Sequence, residues 1–171
     1  MRDRFLHPLR PSQGELRLLA AGVIMALCGG VAAFVIVTQL GQTKHLLRHP
    51  SQADLWFVTS GVVGGLCGLY LARTWLGHEG VWGGLRAAVG AIIISFTGSL
   101  IGGSLALPLY GTMFGPFMLA MTLVANPVLG ILWGIALIAS HMMLRDWRRE
   151  RQTMLDEQSR DRVNLRRTTP A

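Results

Sequence analysis

Between Ala87 and Leu144 the chain contains no Asp, Glu, Lys or Arg. Ordinary soluble domains carry roughly 25% charged residues, and this chain carries 15%. One bilayer crossing needs about 20 apolar residues, so the uncharged run alone is long enough for two. Two more apolar segments lie upstream, at residues 18–43 and 55–72. The lack of charge inside these segments argues against whole classes of function. Proton pumps and voltage sensors keep ionisable groups at depth because they work with charge.

Cysteine is scarce as well. Cys28 and Cys67 both lie in apolar segments, which rules out a secreted disulfide framework. They read as packing thiols, because apolar surroundings make a thiol unreactive. Catalytic signatures are missing too: there is no G-x-S-x-G, no G-x-x-x-x-G-K and no paired cysteine motif. The chain therefore reads as non-enzymatic, with no cofactor. Histidine offers two weak metal groupings. His45 and His49 are four apart, with Asp54 as a third donor, and His78, Glu79 and His141 form the other set. Neither contains H-E-x-x-H, so no metal site is assigned.

Acidic residues are few, at 9 against 16 basic ones, and the net charge of +7 is almost all arginine. No basic module interleaved with aromatics accompanies it, so nucleic acid is not an expected partner. The arginines sit beside apolar segments, where they set topology and meet anionic headgroups. They are Arg2, Arg4, Arg10 and Arg17 at the N-terminus, Arg73 and Arg86 around the second loop, and Arg145, Arg148, Arg149 and Arg151 opening the tail.

The expected fold is all-α. It is an integral membrane protein with four transmembrane helices in an up-down bundle, at about 18–40, 55–76, 85–107 and 117–144. Residues 1–17 form a basic N-terminus and residues 145–171 a basic tail. Positive charge puts both termini in the cytoplasm, since the opposite side holds only Lys44 and Arg48. A cleavable signal at residues 1–33 is the alternative for the first helix, but the apolar run continues to Leu40, beyond the usual span of about 7–15 residues. Ser12 with Glu15 resembles a capping box, and Asp54 is placed to cap the second helix.

Glycine is abundant, at 21 residues. Gly61, Gly64, Gly65 and Gly68 in the second span, Gly98 and Gly102 in the third, and Gly130 and Gly134 in the fourth are candidate helix-packing positions. Lipid tails are as apolar as leucine, so helices in a bilayer associate by close approach over small residues. These faces fit packing within the bundle or against another chain. At mid-depth Ser95, Thr97, Ser99 and Asn126 form a candidate polar cluster. Pro127 after Asn126 removes a backbone donor and predicts a kink. Residues 108–116 read as a short apolar turn between two prolines, or as a re-entrant segment. The tail continues the fourth helix and frays from Ser159.

These features favour an accessory, assembly or stabilising subunit of a bacterial inner-membrane complex. Its partners are the bilayer and either a membrane protein or further copies of itself. The alternative is a small oligomeric transporter or channel for a neutral or weakly polar solute, which needs Asn126, Ser95 and Ser99 on one wet cavity.

Overall fold

The computed structural model describes residues 12–40 and 51–168, with side chains to residue 160. Within them the chain is all helical: α1 Gln13–Leu40, α2 Gln52–Ala72, α3 Val81–Ala106, α4 Tyr110–Ala125 and α5 Pro127–Thr168. Four of the five (α1, α2, α3 and the Pro127–Arg160 portion of α5) are long and apolar enough to cross a membrane. They mark the chain as a multi-pass integral membrane protein. At 16 residues, α4 is short of the roughly 20 that a crossing needs.

The helix starts follow local chemistry. Ser12 and Glu15 exchange backbone N–H bonds at 3.0 and 3.2 Å ahead of α1. Ser51 and Asp54 do the same at 2.8 and 3.1 Å ahead of α2. Asp54 is thus the third residue of a capping box begun by Ser51, and α2 starts three residues before the expected boundary.

Three expectations are corrected. The first is the turn at 108–116, which shrinks to residues 107–109. Leu107 N–H still bonds the Gly103 carbonyl at 2.9 Å, and Leu109 takes a left-handed φ of 69°. Pro116 then lies inside α4 instead of ending a loop. A membrane helix tolerates such a proline where neighbouring helices cover the freed carbonyl. The second is the single fourth span at 117–144, which is two helices meeting at Asn126–Pro127. Pro127 lacks the N–H that would bond Leu123, and the bend brings Gly130 against the Leu123 carbonyl, where an added Cβ would stand 2.9 Å away. The Asn126 carbonyl accepts the Gly130 N–H at 3.0 Å and starts α5, with proline at the first helical position where no donor is missed. The third is the fraying from Ser159: helical backbone persists past it to Thr168, through a stretch rich in Arg, Glu, Gln and Leu, which are good helix formers.

Side by side the helices run α5, α1, α2, α3, with α4 laid along α3. α4 touches α1 and α5 only lightly. Met25, Leu76, Ile94 and Leu144 are the large apolar side chains fully removed from the surface.

Candidate functional site

Packing across the centre is set by glycine. Gly61 and Gly65 of α2 press on α1, where any Cβ would collide with the carbonyls of Gly29 and Met25. Gly64 and Gly68, on the other face of α2, press on α3 at the carbonyls of Gly98 and Ile94. The contact is mutual: a Cβ at Gly98 would stand 2.9 Å from the Gly64 carbonyl, and one at Gly102 3.0 Å from that of Ser60. So α2 is glycine-faced on two sides, each used inside this chain. Gly130 sits in the α4–α5 bend, while a Cβ at Gly134 meets nothing within 4 Å.

One end of the bundle is a charged latch. Residues 73–80, between α2 and α3, are clamped by α5. Arg148 donates to the carbonyls of Arg73 at 2.8 Å and Thr74 at 3.2 Å, which end α2. A cation there meets the negative end of the helix dipole and satisfies carbonyls with no intrahelical partner. Glu79 accepts a hydrogen bond from Arg149 and lies 3.6 Å from Arg145. That bond first, then the charges of Arg149 and Arg145, hold its carboxyl below the usual carboxylate range. His141 Nδ1 accepts the Gly77 N–H at 3.1 Å, so the neutral ring carries its proton on Nε2. Gly77 needs to be glycine twice over: its φ is 78°, and a Cβ would meet the backbone of Leu144 at 2.8 Å. Arg17 pairs with Asp146 at 3.2 Å, tying α1 to the same end.

The other topology arginines are distributed around this end. Arg73 stacks over Tyr70 at 4.2 Å, Arg151 lies over Trp147 at 5.4 Å, and Arg86 is exposed. Arg2, Arg4, Arg10, Lys44, His45, Arg48 and His49 lie outside the described residues. His78, Glu79 and His141 do not converge: His78 Nε2 faces the Thr74 carbonyl at 3.0 Å, and the other two are engaged as above. Among the described residues no three His, Cys, Asp or Glu side chains gather as metal ligands.

The mid-depth polar residues turn inward on their own helices. Thr97 bonds the Ile93 carbonyl at 2.5 Å, Ser99 the Ser95 carbonyl at 2.6 Å, and Asn126 Nδ2 the Thr122 carbonyl at 3.1 Å. The Ser95 hydroxyl receives the indole N–H of Trp133 at 3.0 Å. Of the four, Ser99 alone borders an apolar cavity inside the bundle.

That cavity, of about 270 Å³, lies between α1, α2, α3 and α4, with Trp133 of α5 completing its wall. Gly29, Ile36, Phe57, Gly61, Gly98, Phe114 and Met118 are among its lining residues, and the lining is almost wholly apolar. Its exposed rim includes Leu40, Leu107, Tyr110 and Phe114. The seam between α4 and α3, whose Ser99, Gly103, Gly111 and Gly115 also line the cavity, is again backbone on backbone: Gly111 against Gly103, Gly115 against the Ser99 carbonyl, with Ser104 and Thr112 hydroxyls 2.7 Å apart.

No protein-family model matches the chain, and comparison with curated proteins and with solved structures finds no match. The site is therefore read from its own chemistry.

Several residues that build it were not picked out by sequence. Gly111 and Gly115 form a small-xxx-small pair, hidden because the flanking prolines suggested a turn. Gly29 had no four-residue glycine partner to flag it. Trp133 acts through a neighbour distant in sequence, Ser95, which no local pattern marks.

Proposed function

We propose that the chain is a non-enzymatic accessory, assembly or stabilising subunit of a membrane complex, seated in a bacterial inner membrane with both termini in the cytoplasm. The observation that carries this reading is the length of α5. It runs on beyond Leu144 to Thr168, and every side chain from Arg151 to Arg160 is exposed. Helical stability in proteins comes mainly from packing an apolar face rather than from propensity, and this stretch buries no described side chain after Glu150. A projecting helix with no cover among the described residues fits an element that docks on a partner. Arginine at the latch end and in the tail supports placing that end in the cytoplasm, where flanking positive charge accumulates.

The polar groups at depth weigh the same way. A path for a polar solute needs free donors or acceptors along it, and Thr97, Ser99 and Asn126 bond their own backbones instead.

The test is a pull-down from native membranes in mild detergent, with mass and stoichiometry measured. It compares the full chain with a version ending at Arg151, both tagged at the N-terminus. A heterologous partner at fixed ratio, lost on truncation, supports the reading. A homo-oligomer alone, unchanged by truncation, overturns it.

A further inference from the structure

The apolar cavity supports an inference independent of the subunit reading. Among the described residues, the polar donors on its wall at depth are already engaged. The Trp133 N–H is held by Ser95, and the Ser99 hydroxyl bonds the carbonyls of Ser95 and Phe96 at 2.6 and 3.0 Å. Water settles in a buried site only where it finds about 2–4 polar partners, so this space is dry. At about 270 Å³ it exceeds the apolar cavity of ~150 Å³ known to take up benzene. Left empty, such a void deprives its lining atoms of dispersion contacts.

In a bilayer the filling material is adjacent. The rim residues Leu40 and Phe114 are exposed, and α4, which forms one wall, is tied to α3 but only lightly to α1. Across the seam between α1 and α4, Thr122 Oγ1 donates to Gln39 Oε1 at 3.3 Å, and contacts are otherwise few, so this is the side that yields to an entering chain. One polar group stands at the rim: the Tyr110 side chain is 74% exposed, and its hydroxyl makes no hydrogen bond among the described residues.

We propose that this cavity binds a single acyl chain of a membrane glycerolipid, inserted sideways between Leu40 and Phe114, with the Tyr110 hydroxyl donating to an ester carbonyl of the same lipid. The volume falls below the roughly 300 Å³ at which drug-sized sites begin, so one chain enters and the second stays in the bilayer. Glycine on α1, α2 and α3 makes the inner wall smooth, which suits a flexible chain without branches.

The test uses the full-length protein in phospholipid nanodiscs carrying a trace of phosphatidylcholine with a diazirine near the end of one acyl chain. After irradiation, adducts are mapped by peptide mass spectrometry. The expected result is labelling of Trp133 and Met118, which line the cavity, above that of Ile131 and Ile138, which face outward. Ala106→Phe, which fills the cavity from α3, lowers the Trp133 adduct about tenfold while leaving Ile138 unchanged. Met118→Phe does so from α4, should the first variant fail to fold. Tyr110→Phe speeds exchange of the bound lipid about threefold, as loss of one hydrogen bond requires. Equal labelling of Trp133 and Ile138 overturns the proposal, as does an adduct that neither filling variant reduces.

Discussion

The two ends of this bundle are held by opposite means. At the latch end, α5 grips the α2–α3 connection through Arg148 on helix carbonyls, Glu79 between two arginines, and His141 on the Gly77 amide. At the other end, α4 rests on α3 through glycine backbone, closes only lightly on α1, and leaves a cavity beneath it. Directional polar bonds fix the first end in one geometry. Close apolar contact holds the second, and contact of that kind can slide. The lesson is that small residues do not always make a tight bundle. Between α2 and its two neighbours they seal the interior, whereas along α4 they allow close approach on one side only.

Substitutions separate the two regimes. The largest effect is expected at the sealed interior. Gly64→Leu drives a side chain into the Gly98 carbonyl and costs about 3 kcal/mol or more, the upper end for overpacking. Thermal unfolding in detergent followed by circular dichroism measures it. Gly111→Leu is also blocked by backbone, at Gly103. Because α4 can move away from α3, the cost there is nearer 1–2 kcal/mol. If Gly111→Leu proves as damaging as Gly64→Leu, the slack attributed to α4 is wrong.

At the latch, Arg148→Met keeps length and removes the charge from the end of α2. It is expected to cost about 1–2 kcal/mol and to loosen the 73–80 connection, read by faster hydrogen exchange at Thr74 and Trp75. Acid acts on the same end more gently. The folded-state pKa of Glu79 is depressed, chiefly by its hydrogen bond from Arg149. Its contribution is therefore present above the ordinary glutamate pKa and disappears as pH falls through the lowered value. The acid-side loss of stability is expected to shrink in Glu79→Gln, and an unchanged pH profile would remove Glu79 from the latch. Smallest of all is Gly134→Leu. Open space surrounds that position, and stability should stay within about 0.5 kcal/mol of the parent.

Sequence made some of this legible for specific reasons. The first three helices lie close to their expected bounds because a long apolar run flanked by charge has few other solutions in a membrane. The break at Pro127 was signalled by the missing N–H, although it is sharper than a kink. The turn at 108–116 was misjudged because two prolines dominate local reasoning. The residues before Pro116, Thr112 and Gly115, are held against Ser104, Ser99 and Gly103 of α3, a tertiary effect. Gly61, Gly64, Gly65 and Gly68 were visible as packing residues, but their division into an α1 face and an α3 face required the neighbours. Arg148 read as a headgroup contact, because nothing local reveals that its guanidinium reaches carbonyls more than 70 positions upstream. The cavity was illegible in principle, since an unfilled volume belongs to no residue.

The break at Asn126–Pro127 also constrains the order of manufacture. Pro127 leaves the Leu123 carbonyl without its helical donor, and α4 is too short to cross alone. An unsatisfied backbone group facing hydrocarbon costs several kcal/mol. As the chain emerges from the ribosome, α4 therefore has no comfortable resting place until a docking surface exists. That surface is α3, already backed by α2 and α1 through the glycine seams. The N-terminal three helices act as a template, and the C-terminal pair is a late addition that folds onto it. A nascent chain halted just past α4 should hold a membrane-inserted α1–α3 core with α4 already docked on α3, before α5 arrives to close the latch.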